Sequence, residues 1–360
     1  MREHELLLLT GEQVRAMLAG REPDVIATVA QAYETFGRGA QSLPHSSFLR
    51  FPDDASNRII ALPAYLGAPF EVAGLKWIAS FPANLERGLD RASATLVLNS
   101  TQSGRPIAMM EASTISAART AASAALAAQR LHRDPAGATS ATLIGCGLIN
   151  HEIARYLLAV FPVLRLFVLH DTVPARAARL GKALCALRPG VAWELAHDLG
   201  DALRRCGLVS FATTSARPYV DDPGAFVPGA TVLHVSLRDL APEVIFASTN
   251  VVDDPDHVCR AETSLHLAEK RRGDRGFIRA ALHELLGAPA PPPVRHDARD
   301  VVVFSPFGLG VLDVAVGKRL YDEARASGLG TVIDSFFPGP WAPADGAPSA
   351  GTSELTRIEP

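Results

Sequence analysis

Residues 141–158, ATLIGCGLINHEIARYLL, carry an apolar strand through Gly145 and Gly147 into a helical pattern that opens with Leu148, Ile149 and Asn150. The first glycine permits a tight turn. The second lets backbone amides approach a pyrophosphate at the helix N-terminus, where the dipole favours negative charge. Asn150 replaces the third glycine of that fingerprint, which loosens the motif. The next apolar run, RLFVLHD, ends at Asp171, 26 residues after Gly145, where an acid can accept hydrogen bonds from both ribose hydroxyls. Turn and acid together predict a dinucleotide site; the bland alternative is a glycine-lined turn beside a solvated aspartate. An acid here repels a 2′-phosphate, so NAD is preferred to NADP, although Arg176 five residues later weakens that preference.

From about 138 to 305, strands alternate with helices. ATLIGCG, RLFVLHD, VAWEL, GLVSFATT, ATVLHVSL and NVVDD each end near a polar or glycine-bearing turn, as in a doubly wound parallel sheet. Open sheets of this kind bind ligands at the carboxyl ends of their strands. Before about 135 the pattern is α+β. A helix is expected to begin at Asp24, after Pro23, and run through VIATVAQAYETF. SSFLRF, NRIIALPAYL, VAGLKWIASF and ATLVLNS read as a meander, and the small-residue helix at 112–131 is expected to pack against something flat. APAPPP at 288–293 reads as a stiff connector before a last strand, VVVFSPFGLG. LDVAVGKRLYDEARASG then forms a helix that could dock back on the first zone, and the tail beyond Phe337 is expected to be mobile. The fold class is therefore α/β, a Rossmann-type doubly wound parallel sheet joined to an α+β unit.

The 360 residues are 48% apolar and 20% charged, with a formal charge of −3, which argues against disorder and against a basic nucleic-acid-binding face. The longest apolar stretch, Tyr156 to Leu164, contains Pro162 and is far too short to cross a bilayer. The N-terminus lacks the succession of a secretory signal, so a cytoplasmic protein is expected. Cys146, Cys185, Cys206 and Cys259 are scattered and read as reduced packing residues. His151, His170, His234, His257 and His266 lack metal-ligand spacing, and no metal is expected. Trp77 and Trp193 are expected in the core and Trp341 against a partner subunit.

Lys76 lies mid-strand among apolar residues in GLKWIASFP, and Arg119 lies in the Ala-rich helix. Buried cations require an anion. A substrate carboxylate would serve, held bidentately by Arg119 and as a point charge by Lys76; an internal ion pair or a snorkelled surface cation is the plainer explanation for either alone. Asp239 directly follows a sheet strand in TVLHVSLRDLAPE, where it could activate water or shuttle a proton, or merely cap the helix of APEVIFA.

RIIALPAYL, GLKWIASFPAN, SARTAASAALAA, LIGCGLIN, HVSLRDLAPE and SPFGLGVLDVAVGKRLYD together resemble the ornithine cyclodeaminase/mu-crystallin family over nearly the whole chain. The resemblance implies an NAD-binding Rossmann domain at 131–311 and an α+β substrate-binding and dimerisation domain at 1–130. Residues 312–337 would complete the latter, leaving a tail at 338–360, and the sheet would make a homodimer. It places Lys76 and Arg119 on the cations that hold the substrate carboxylate and Asp239 on the catalytic acid/base. Arg91, Gly147, Leu148, Asp171, Thr214 and Leu233 to Ser236, including Val235, fall on cofactor-contacting positions, with Ile149, Thr213 and Gly308 expected beside them. Two departures stand out. His45 replaces a substrate-binding arginine, and Leu237 and Arg238 replace two glycines before the aspartate. The extra charge of Arg238, with Arg58, would accommodate further carboxylates.

Within the family, RGLDRASA and GCGLIN lie nearest to the dehydrogenases that supply 2,3-diaminopropionate for siderophores and peptide antibiotics. The implied reaction is NAD-dependent oxidative hydrolysis of N-(2-amino-2-carboxyethyl)-L-glutamate to 2-oxoglutarate and L-2,3-diaminopropionate. The alternatives are an ornithine or lysine cyclodeaminase that recycles NAD internally, an imine-reducing opine-type dehydrogenase, and a non-catalytic nucleotide binder like mu-crystallin.

Overall fold

A computed structural model describes residues 5–287, 294–295 and 297–338; the connector at 288–293, residues 339–360 of the tail and Trp341 lie outside the described residues. The chain opens with strand β1 (Leu6–Leu9) and helix α1 (Gly11–Leu18). Neither is anticipated by apolar periodicity, yet Thr10 and Gln13 close a reciprocal capping box on α1, so T-x-x-Q is its sequence sign. Helix α2 (Glu22–Gly37) begins two residues before Asp24, because Pro23 belongs in the first turn, where its missing N–H is not needed.

Strands β2 (Gln41–Ser42), β3 (Ser47–Phe51), β4 (Asp54–Leu66), β5 (Val72–Ser80), β6 (Ala92–Ser100) and β7 (Pro106–Glu111) follow. From β3 to β7 they form the expected antiparallel meander. Strand β1 adds to β7 in parallel. Along β5 the buried Val72 and Lys76 share one face, while Trp77 on the other is 41% exposed. Trp77 is therefore a surface residue, contrary to expectation, because no helix covers that side. Pro63, Leu75, Val97 and Met109 stand in register beside it, making an apolar strip across four strands.

Helix α3 (Ser113–Leu131) carries the chain into the second sheet. There, β8 (Ser140–Ile144), α4 (Leu148–Val160), β9 (Leu166–His170), α5 (Pro174–Leu187), β10 (Ala192–Leu195), α6 (Leu199–Leu203) and β11 (Leu208–Phe211) alternate. They are followed by β12 (Thr231–His234), α7 (Pro242–Phe246), β13 (Thr249–Val252), α8 (Pro255–Val258), α9 (Ser264–Arg272), β14 (Ile278–Ala281) and β15 (Val302–Ser305). All eight strands are parallel, ordered β10-β9-β8-β11-β12-β15-β13-β14. The order reverses between β8 and β11, which is where a crevice opens in sheets of this type. Trp193 packs on Gly181 at the edge, half-buried.

The small residues of α3 let other helices approach. It packs chiefly between α2 and α4, not against a flat sheet as expected. Its buried alanines join the core of the first sheet to one face of the second. Helix α10 (Gly310–Ser327) returns across β4, β5 and β6, and β16 (Thr331–Ile333) pairs with β1. Among the described residues no helix is long and apolar enough to cross a membrane. Cys146, Cys206 and Cys259 are buried and Cys185 is exposed, all unpaired.

Candidate active site

The crevice between β8 and β11 contains the glycine turn. Gly145 has φ +87°, and a Cβ there would lie 2.7 Å from the Ala212 carbonyl, so only glycine lets the two strand ends approach. A Cβ on Gly147 would meet nothing, and no side chain caps α4. The first-turn N–H groups of α4 thus carry no side-chain cap, as a pyrophosphate site requires. Asp171 ends β9 and is not simply solvated: Oδ2 accepts from the Cys146 N–H at 2.8 Å and Oδ1 from the Val173 N–H at 2.8 Å. The acid is anchored beside the glycine turn. Leu148 and Ile149 open α4, with Leu148 exposed.

Asn150 corrects the expectation that it loosens the motif and contacts cofactor. It is fully buried; Nδ2 donates to the Ile144 and Gly145 carbonyls at 2.9 and 2.8 Å, and Oδ1 accepts from Ser210 Oγ at 2.7 Å. The side chain clasps the turn to β8 and β11. Leu233 is likewise fully buried inside β12, so it supports the sheet and has no surface to offer a ligand. Val235 and Ser236 follow it on the loop, both bonded through their N–H groups to the Phe211 carbonyl.

The anion for the two buried cations is internal. Asp313 on α10 lies 2.7 Å from Lys76 Nζ and 3.0 Å from Arg119 Nε, and Ser116 Oγ accepts from Lys76 at 3.0 Å and from Arg119 Nη2 at 3.3 Å. One carboxylate thus faces two cations, leaving a net positive charge. Arg119 Nη1 has no acceptor among the described residues and lies against Gly308, where φ is +92° and a Cβ would come within 2.7 Å of it. Gly308 is therefore the seat of Arg119. Its N–H, with that of Phe307, donates to the buried Asp253 carboxylate, whose pKa burial pushes up to about 6. Burial and the charge of Arg119 push Lys76 down to about 8 against the pull of Asp313.

Asp239 follows β12 and does not cap α7, whose N-cap is Ala241. Leu237, a non-glycine residue at φ +68°, makes the strained turn that brings it back. Its Oδ1 accepts from Thr213 Oγ1 at 2.5 Å and from the Tyr219 hydroxyl at 2.9 Å. Oδ2 accepts from Ser236 Oγ and lies 3.3 Å from His234 Nε2. Burial opposes the charge, but His234 and the hydroxyls outweigh it and hold the carboxyl down at about 2. His234 Nδ1 in turn lies 3.1 Å from Ser305 Oγ on β15. Ser305 and Gly308 are three residues apart, so one short stretch supports both Asp239 and Arg119. Thr213 is committed to Asp239, whereas Thr214 beside it is exposed.

Arg58 on β4 pairs across strands with Arg50 on β3 and with Ser80 on β5, and Arg91 Nε donates to Ser80 Oγ at 3.3 Å. Arg238 Nη2 donates to the Ala261 carbonyl at 2.5 Å, and burial with the charges of Arg58 and Arg50 lowers its pKa. His45 is exposed, and its ring lies tilted against that of His257, with centroids 5.1 Å apart. Residues missed from sequence are Asp313, Tyr219, His234 and Ser305 as partners; the lone acid in the apolar stripe LDVAVGK is the one legible sign among them.

A parallel sheet with a glycine turn at its switch point, joined to a meander whose Lys76 pairs with Arg119 of α3 on one buried acid, defines a Rossmann-type dinucleotide-binding protein. The chain belongs to the ornithine cyclodeaminase/mu-crystallin family, whose profile matches residues 7–328. It is 29% identical over 284 residues to the N-((2S)-2-amino-2-carboxyethyl)-L-glutamate dehydrogenase of Staphylococcus aureus, covering 78% of this chain and 83% of that one. The Thermococcus litoralis Δ1-pyrroline-2-carboxylate reductase, solved with NADH and L-proline, superposes with a TM-score of 0.81 at 25% identity, covering 90% and 99% of the two chains. An archaeal alanine dehydrogenase dimer with bound NAD gives 0.81 at 26% identity, covering 92% and 100%.

Proposed function

We propose that the protein is an NAD-dependent dehydrogenase acting on the CH–NH bond of an amino acid, and that its substrate is N-(2-amino-2-carboxyethyl)-L-glutamate. The observation that carries this reading is the Lys76–Arg119–Asp313 cluster, two buried cations on one acid, which leaves a positive charge and a free Nη1 for a carboxylate. The likeness to the Staphylococcus aureus enzyme supports the choice of substrate.

Gly147 and the first turn of α4 would hold the pyrophosphate and Asp171 the ribose hydroxyls, with Leu148, Ile149, Thr214, Val235 and Ser236 around them. When bound, NAD⁺ supplies the hydride acceptor for the glutamate α-carbon. Lys76 and Arg119 grip the α-carboxylate and fix that carbon, a positioning effect worth several kcal/mol. Asp239, held ionised, stabilises positive charge on the imine nitrogen and orients water toward the imine carbon. A carboxylate of such low pKa is a weak base, so Asp239 holds the water's proton only in passing and hands it to the amine nitrogen that leaves. Collapse of the carbinolamine releases 2-oxoglutarate and L-2,3-diaminopropionate, the latter a building block for siderophores or peptide antibiotics. A homodimer fits the alanine dehydrogenase neighbour, which is a dimer, and the apolar strip around Trp77 is the face assigned to it here.

The test is incubation of the purified protein with NAD⁺ and this secondary amine. NADH absorbance should accumulate, with both products identified by mass spectrometry. Conversion of ornithine to a cyclic product without net NADH would establish a cyclodeaminase instead, and no turnover with any amino acid would leave a nucleotide binder.

A further inference from the structure

The inner face of the meander carries more positive charge than the α-carboxylate needs. Cross-strand partners share a face, so Arg50, Arg58 and Ser80 point the same way, as do Lys76 and Ser80, four residues apart on β5. The Arg91 guanidinium joins them through Ser80. Arg238 approaches from the second sheet, next in sequence to Asp239, and it feels the charges of Arg58 and Arg50. The arginine group therefore begins about 13 Å from Lys76, at ~3.3 Å per strand residue, along the same floor and on the Asp239 side.

These arginines lack the acids that such a cluster normally requires. Among the described residues Arg58 has no hydrogen-bonding or ion-pair partner, Arg50 lies over the Phe48 ring, Arg91 meets only Ser80 Oγ and Arg238 only a carbonyl. Glu262, whose charge Arg238 also feels, is already paired with Lys270 and His266. Arg58, Arg91 and Arg238 are half-buried, and burial together with neighbouring arginine charge lowers the pKa of each. Partly desolvated like charges oppose folding, and they are tolerated where a ligand completes them. Planar guanidinium forks match carboxylates in pairs.

We propose that Arg50, Arg58, Arg91 and Arg238 form a second anion subsite that binds the substrate carboxylates remote from the oxidised carbon, so that the enzyme selects tricarboxylate amino acids over monocarboxylate ones. The proposal rests on the dehydrogenase reading above. It adds Arg50 and Arg91 to substrate recognition and gives the span between the two anion sites.

The experiment compares wild type with Arg50→Gln and Arg58→Gln, both toward the solvent edge of the cluster. First, kcat/KM is measured for N-(2-amino-2-carboxyethyl)-L-glutamate and for N-(2-aminoethyl)-L-glutamate, which lacks one carboxylate. Wild type should favour the former by about 100-fold, as two charge-assisted hydrogen bonds would give; the variants should reduce that preference by about tenfold or more. Second, calorimetric titration of the full chain with tricarballylate should show affinity falling about tenfold in each variant, while NAD⁺ affinity stays within about threefold. An undiminished preference in the variants overturns the subsite. So does a matching loss of NAD⁺ affinity, which would assign the arginines to cofactor phosphates. If neither amine is turned over but tricarballylate binding still falls, the reaction reading fails and the subsite stands.

Discussion

Asp313 Oδ2 lies 2.7 Å from Lys76 Nζ, with 1% of the lysine side chain and none of the aspartate exposed, while Asp313 Oδ1 takes Arg119 Nε at 3.0 Å. A helix from the end of the chain thus supplies the counter-charge for cations from its first third, which ties α10 to β5 and α3. Removing one partner of a buried pair leaves an uncompensated charge and costs about 3–5 kcal/mol. Asp313→Asn should therefore lower stability by that amount in urea unfolding of the nucleotide-free protein. A change below about 1 kcal/mol would mean that water already reaches Lys76 and that the pair does not hold α10 in place.

Asp239 is ionised and saturated with donors, so its replacement should separate charge from shape. Asp239→Asn keeps the volume and should reduce kcat by about 10²–10⁴-fold, with NAD⁺ affinity nearly unchanged. Tyr219→Phe removes one donor to Oδ1 and should cost less, about tenfold. Steady-state kinetics checks both; an Asn variant with wild-type kcat would remove Asp239 from the chemistry.

The pH profile has opposing limbs. The substrate amine must lose its proton before hydride departs, so kcat should rise toward mild alkali. Lys76 has its pKa pushed down to about 8 from the ordinary 10.5, so the free enzyme loses that positive charge as pH passes about 8, and KM should rise. Lys76→Arg, which stays protonated, should abolish the KM rise. For stability the sign is opposite: between about 8 and 10.5 the unfolded chain holds a proton that the folded one has released, so this group's contribution improves with rising pH. Asp253, raised to about 6 from 3.8, stabilises fully below 3.8, and that contribution is lost as pH rises through about 6. A flat KM between pH 7 and 9 would contradict the Lys76 assignment.

How far the sequence discloses this site follows from what each signal depends on. The alternation of β8 to β15 with helices and the G-x-G turn are local patterns, and the doubly wound sheet appears where they place it. Buried cations at Lys76 and Arg119 are legible because charge is out of keeping with apolar neighbours. Their partner is not, because Asp313 is 194 residues from Arg119 and only the return of α10 joins them. Asn150 misleads for a related reason: a missing glycine looks like a defect until its amide is seen bonding two carbonyls and Ser210. Trp77 misleads because strand alternation gives two faces without saying which one a helix covers.

Asn150 also yields a prediction. Its amide holds the turn by three hydrogen bonds in a fully buried setting. Asn150→Gly would restore the familiar fingerprint yet leave Ser210 Oγ and the Gly145 carbonyl without partners, at about 1–3 kcal/mol each where unrelieved by water, while the Ile144 carbonyl keeps the Ala212 N–H. Both Tm and NAD⁺ affinity should fall. An equal or higher Tm would show that water replaces the amide.

The face carrying Trp77 sets the last expectation. Tyr65, Trp77 and Met109 are 38%, 41% and 42% exposed on strands whose opposite sides are packed under α10. Pro63, Leu75, Val97 and Met109 stand in line between them. An apolar strip of this kind on a sheet is unusual on a monomer and suits self-association about a twofold axis. A charge at its middle would have to be desolvated twice in a symmetric pair. Trp77→Glu should therefore shift the sedimentation coefficient from that of a dimer to that of a monomer, while the circular dichroism spectrum is retained. A wild-type protein that sediments as a monomer at micromolar concentration, or a variant that remains dimeric, would move the interface off this sheet.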